Sequence, residues 1–171
     1  PTADLNLSLI VRRKNSLNDI VVLPFSLTEA VINPSSEDNI ELQPFDRILV
    51  LPTPTLTQET LAGFGKENEE LTESPRSELL APIVEQLERQ TRSGERAQVV
   101  VLAGAVREPG LYPLVGDGSI ANVVSLAGGY TDSAFLEKAE VRRILIDQAQ
   151  RAEVEILKVS LANDVDSSFK L

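Results

Sequence analysis

The 171-residue sequence contains no cysteine, histidine, methionine or tryptophan, and each absence closes a branch of chemistry. Without cysteine there are no disulfides, thiolate metal sites or thiol nucleophiles, although the compartment stays open. Without histidine or cysteine, general-base work falls to carboxylates or lysine. No acid pair stands in a recognisable motif, and Asp164-x-Asp166 is too short a match to count. There is no GxGxxG and no P-loop. The expectation is a protein that is not an enzyme and carries no cofactor or metal. No apolar stretch approaches the roughly 20 residues needed to span a bilayer, and no secretory signal is present. The missing methionine, at position 1 as elsewhere, reads as the mark of a processed or excised fragment. Sixteen basic against 26 acidic residues give a net charge of −10. That field repels phosphate backbones and anionic headgroups, so nucleic acid is not expected as a partner. A chain of this length can bury one real core or two small ones.

What is present is a repetition, out of phase. Val11-Arg12-Arg13 is echoed by Val141-Arg142-Arg143, and Leu23 with Ser26-Leu27 by Leu157 with Ser160-Leu161. Ile40-Glu41-Leu42 is echoed by Phe169-Lys170-Leu171. The first copy continues through Gln43-Pro44-Phe45-Asp46 into the apolar run 47–51, and the second is preceded by 99–131. Such an arrangement reads as a segment of a tandem array, and arrays usually bind or assemble rather than catalyse.

Local patterns assign the elements. Leu5, Leu7, Leu9 and Val11 alternate as a strand, 14–19 supply turn chemistry, and 20–25 return as a second strand. Ser26 caps a short helix over 27–32, with Glu29 at its third position, and Pro34 helps to end it. Residues 47–51 form a strand stopped by Pro52 and Pro54, and 53–74, with acids at Glu67, Glu69, Glu70 and Glu73, reads as a linker. Leu79, Leu80, Ile83, Val84 and Leu87 give helical spacing over 77–92, kinked or starting later because of Pro82. The second unit opens with a strand over 98–106. A type II turn at Glu108-Pro109-Gly110 then leads to a partner strand over 111–115. Ser119 caps a helix with Ile120, Val123, Val124 and Ala127 on its apolar face, closed by Gly128-Gly129. Residues 139–146 and 153–159 make a last hairpin.

Together, the run 99–106, Glu108-Pro109-Gly110-Leu111-Tyr112 and Leu126-Ala127-Gly128-Gly129-Tyr130-Thr131 resemble the soluble-ligand-binding β-grasp (SLBB) domain of bacterial polysaccharide biosynthesis and export proteins. Residues 5–51 resemble the back half of a preceding copy. The resemblance implies an α+β fold of tandem β-grasp-like units, each a small mixed sheet with one crossing helix, joined by a linker and helix. The expected division is 1–52 as the back half of one repeat, 53–97 as linker plus amphipathic helix, and 98–171 as a second unit without its last strand. A missing strand leaves a sheet edge open to pairing, so residues 47–51 are expected to complete the second unit, within one chain or between two. The implied role is a non-catalytic binding and assembly module of a periplasmic, outer-membrane-associated export protein. Its implied partners are other copies of itself and polysaccharide, and the alternative is a dedicated saccharide receptor.

The candidate ligand-binding residues are Tyr112, Tyr130, Arg107 and Arg142. An aromatic face suits a sugar's C–H surface, but aromatics also fill small cores and make up only 4% of this chain. Guanidinium forks match carboxylates of acidic sugars or of a partner; surface ion pairs with this chain's own acids are the plainer reading of Arg12-Arg13 and Arg142-Arg143. Pro109-Gly110 and Gly128-Gly129 either line a ligand groove or simply satisfy turn and helix-end geometry.

Overall fold

The alternation of Leu9 and Val11 with Ile10 and Arg12 makes a strand with two unlike faces, and that strand centres the first sheet. In a computed structural model, described over residues 2–54, 74–92, 95–146 and 152–161, β1 (Ala3–Arg13) lies between β2 (Ile20–Phe25) and β3 (Arg47–Pro52), both antiparallel to it. α1 (Leu27–Ile32) follows β2, capped by Ser26, whose Oγ accepts from the Glu29 N–H at 3.1 Å. α2 (Pro75–Gln90) leads to a small second sheet of β4 (Val99–Leu102) and β5 (Gly110–Pro113). α3 (Ile120–Leu126) and the hairpin of β6 (Ala139–Ile146) with β7 (Ala152–Val159) complete the order. The class is α+β, with three small antiparallel sheets among the described residues in place of the expected mixed ones.

Within this chain, residues 47–51 pair in the first unit rather than in the second. As β3 they pair with β1 of their own unit, Leu9 opposite Leu49 and Val11 opposite Arg47. The reason is local chemistry. Arg12 holds Asp46 through Nε at 3.1 Å and Nη2 at 2.8 Å, and the Gln43 N–H adds a bond to Asp46 at 2.8 Å. Arg12 and the Gln43 amide keep the Asp46 carboxyl below the usual carboxylate range. Arg13 lies over the Phe45 ring, 4.8 Å from its centroid.

α2 starts earlier than its hydrophobic spacing suggests. Ser74 and Ser77 form a reciprocal capping box with Pro75 in the first turn, and the helix runs through Pro82, which faces solvent. The linker expected over 53–74 falls largely outside the described residues. α2 buries Leu80, Ile83 and Leu87 in one core with Leu9, Val11, Ile20, Val22 and Leu51 of the first unit. Val106, Tyr112, Val115, Val123 and Leu126 of the second unit share that core. One continuous apolar interior therefore crosses the boundaries of the expected division. Gln90 pins the far end of α2 to β2, accepting from Ile20 N–H at 2.7 Å and donating to Ile20 C=O at 3.0 Å.

A second, smaller cluster holds the last hairpin. Ile120 and Val124 of α3 pack with Val159, Val141, Leu157 and Tyr130. Here the register refines the repeat. Val11 sits opposite Val22 in β1–β2, and Val141 opposite Leu157 in β6–β7. Leu157 thus takes the place of Val22, not of Leu23 as the echo suggests. A one-residue slip would turn every side chain to the other face, so core packing outranks sequence similarity.

Arg76 closes the structure at its centre. It is fully buried, yet it donates to Pro52 C=O at 2.8 Å, to Ser125 and Leu126 C=O at 3.1 Å each, and to the Asp4 carboxylate. One guanidinium thus joins β3, the end of α3 and the start of β1, and its charge suits the carbonyl end of a helix. Arg76→Ala should destabilise the protein by about 3 kcal/mol in urea unfolding, the low end for breaking a buried ion pair. Arg76→Lys should recover little, because an ammonium cannot fork to four acceptors.

Candidate functional site

The loop between β4 and β5 decides where the candidate residues go. The expected strand over 98–106 is only four residues long, because Gly104 turns the chain at φ +95°. Gly110 has no positive φ and lies inside β5, so the expected type II turn is not formed. The loop instead lies along the end of α3. Arg107 N–H donates to Gly129 C=O at 3.0 Å, Glu108 N–H to Ala127 C=O at 3.0 Å, and Thr131 N–H to Ala105 C=O at 3.0 Å. Val106 and Tyr130 form an isolated bridge.

This zipper brings Arg107 and Tyr130 together, with Arg107 Nε donating to Tyr130 C=O at 3.4 Å. Tyr130 is half-buried, and its burial pushes the phenol pKa up. Tyr112 is elsewhere and serves another purpose. Its ring is wholly buried in the shared core, and its hydroxyl donates to Glu108 C=O at 2.5 Å. A ring so enclosed has no face to offer a sugar. Arg142 does not join the group either. Val141 packs against the same small cluster as Tyr130, so Arg142, its neighbour in the strand, points to the opposite face, where it meets Glu140 at 2.6 Å. Arg143 pairs with Glu155 at 2.6 Å. The arginine pairs of both repeats are engaged with the chain's own residues.

The groove that sequence reasoning missed runs between the two units and measures about 580 Å³. One wall is the first unit: Asp4, Asn6 and Leu7 of β1, the β2 end at Pro24-Phe25-Ser26, and Asp38. The other is Asn122 and Ser125 of α3 with the bare backbone of Gly128-Gly129, and Pro54 lies between them. Asp4 is turned towards Arg76, and Asp38 accepts from the Ser26 N–H at 2.7 Å. Asn122 Nδ2 donates to Asp117 at 3.1 Å. The lining offers amide, hydroxyl and carboxylate groups and no basic side chain, a donor set suited to a hydroxyl-rich neutral ligand rather than an anion. Only the Gly-Gly pair was visible beforehand; the wall it faces is 70 or more residues away in sequence. Among the described residues, no group of three or more acidic side chains could hold a metal ion, and no helix is long and apolar enough to cross a membrane.

Gly128 answers both readings of its pair. At φ +78° it ends α3, and a Cβ there would stand 2.3 Å from Pro54 Cβ. Gly129 is also left-handed, at φ +92°, but has open space around it. Gly129→Ala should cost about 1 kcal/mol of backbone strain. Gly128→Ala should cost at least about 1 kcal/mol more in urea unfolding, and Pro54→Gly should relieve that excess alone.

Tyr112 gives a pH test. Burial first, and then the Glu108 carboxylate, push its phenol up to about 12, whereas an unfolded tyrosine ionises near ~10. The fold favours the neutral phenol, so its contribution is complete below about pH 10 and is lost as pH rises towards 12. Tyr112→Phe should cost about 1 kcal/mol at neutral pH through the lost hydrogen bond and should abolish this alkaline component in unfolding curves.

Comparison with known families places this geometry. Residues 99–152 match the SLBB domain model, a stretch that holds β4, β5, α3, β6 and the Gly-Gly wall of the groove. No curated protein and no solved structure matches the chain. SLBB domains form a binding family associated with polysaccharide export, not a catalytic one. The chain therefore carries, over residues 99–152, an SLBB domain, the family its sequence resembles.

Proposed function

We propose that this chain is a non-catalytic binding and assembly module of a polysaccharide export protein, periplasmic and attached to the outer membrane, that touches saccharide in the groove between its two units. The observation that carries the reading is the groove itself. Its second wall belongs to the SLBB match, and its lining is polar, uncharged or acidic, with backbone bared at two glycines. Sugars are recognised by such sets of amide, hydroxyl and carboxylate groups over a small apolar floor, here supplied by Leu7, Pro24 and Phe25. The net charge of −10 and the carboxylates of Asp4 and Asp38 favour a neutral or amino-bearing glycan over a uronic one. A dedicated receptor with Tyr112 as its stacking platform has less support, because that ring is enclosed.

The test is a titration of the isotopically labelled chain with neutral, amino and uronic oligosaccharides, read by amide shifts. Shifts should gather at Asn6, Asn122, Ser125, Gly128 and Gly129, and Asn122→Ala should weaken binding at least about fivefold, the loss of one to two hydrogen bonds. Arg142→Ala should leave it unchanged. No response to any oligosaccharide, or a response confined to another surface, would overturn the saccharide reading.

A further inference from the structure

The turn that leads into β3 presents an aromatic ring at a position that ordinarily goes to glycine. Pro44 and Phe45 are its central residues, closed by the Asp46 N–H donating to Gln43 C=O at 3.1 Å. Proline in the second place and a positive φ in the third is the type II form, whose third place favours glycine or asparagine. Phe45 takes it at φ +71°, although left-handed backbone is costly for a bulky side chain. Burial does not offset that cost, because the residue is 74% exposed. Arg13 lies 4.8 Å from the ring centroid, and the rest of the ring stands in solvent. Arg47 is opposite Val11 across the ladder, so it leaves the sheet on the same face as Arg13, two residues along from Val11. Among the described residues neither Arg13 nor Arg47 has a carboxylate partner. On a chain of net charge −10, this is a protruding ring flanked by two unneutralised cations.

We propose that Phe45 of one copy plugs the inter-unit groove of a second copy of this chain, with Arg13 and Arg47 meeting the carboxylate of Asp38. The groove is the complement of the knob. It measures about 580 Å³, enough for a phenyl ring, over an apolar floor of Leu7, Pro24 and Phe25, where Phe25 offers an aromatic pair. Its walls carry Asp4 and Asp38 and no basic side chain. Asp4 is held by Arg76. Asp38 spends one oxygen on the Ser26 N–H, and its second has no bond among the described residues, which leaves it open to a charge-assisted bond from a guanidinium. Knob and groove lie at opposite ends of β1, Arg13 at one and Asp4 at the other, about 30 Å apart by strand rise. One copy therefore cannot fill its own groove. The contact runs head to tail, the heterologous kind that builds rings or filaments. The inference rests on the assembly half of the proposed function, and because saccharide enters the same groove the two occupants exclude each other.

The test is sedimentation velocity of the intact chain over a concentration series at about 0.15 M salt, where screening damps the repulsion between like-charged copies. Reversible self-association is expected. Phe45→Gly should weaken it about tenfold or more, the effect of removing one aromatic anchor from an interface. Glycine suits the turn, so this variant should keep or raise the urea midpoint, which separates lost association from lost folding. Asp38→Asn should also weaken association while keeping an acceptor for the Ser26 N–H. The deciding arm mixes the two variants. The Asp38→Asn copy still offers a knob and the Phe45→Gly copy still offers a groove, so 1:1 dimers should form with wild-type affinity and stop there. A monomer at every concentration overturns the proposal. So does association indifferent to Phe45→Gly, or a mixture that associates no better than either variant alone. Oligosaccharide titration of the Phe45→Gly variant reads the groove without the knob, so failure of this contact and failure of the saccharide reading are told apart.

Discussion

Arg76 is the point on which the rest of the structure depends. Its guanidinium is removed from water entirely, which costs several kcal/mol unless every donor finds an acceptor. The acceptors come from three places far apart in sequence: Asp4, Pro52 and the Ser125–Leu126 carbonyls. Burial of one charge thereby fixes the start of β1, the end of β3 and the exit of α3 relative to α2. Leu80, Ile83 and Leu87 then bury their apolar surface between the two units, and Pro54 settles against Gly128. The groove is a by-product of this docking. It exists only where two walls fixed by Arg76 fail to meet.

The two copies of the arginine pair show how one motif reads differently by setting. In β1, Arg12 and Arg13 hold a returning segment, through Asp46 and the Phe45 ring, and so secure β3 to the sheet. In β6, Arg142 and Arg143 meet glutamates on their own hairpin. Fork geometry, not charge alone, makes the first arrangement a clamp.

Much of the architecture was legible locally. Ser26 and Ser119 cap their helices as their side-chain oxygens require, the hairpin strands 20–25 and 139–146 stand where the sequence places them, and Gly128-Gly129 takes the left-handed conformation that ends a helix. The start of α2 was also written in the chain, in Ser74-Pro75 and Ser77, but the apolar spacing drew attention downstream. The turn before β5 was misread because Pro109-Gly110 has the right residues for a tight reversal. The backbone hydrogen bonds from Arg107 and Glu108 to the α3 end, and from Thr131 back to Ala105, hold that loop open, and no local rule contains them.

By itself, the sequence determined the α+β class, the caps and the SLBB resemblance, because each rests on residues close together and on backbone preferences that act within a few positions. Only the tertiary structure decided that Tyr112 is core and Tyr130 rim, that Arg107 joins Tyr130 while Arg142 faces away, and that β3 belongs to β1. Those outcomes depend on which buried polar groups find partners across 20 to 70 residues of chain. Burial penalties are settled by the whole packing arrangement, and no single segment carries them.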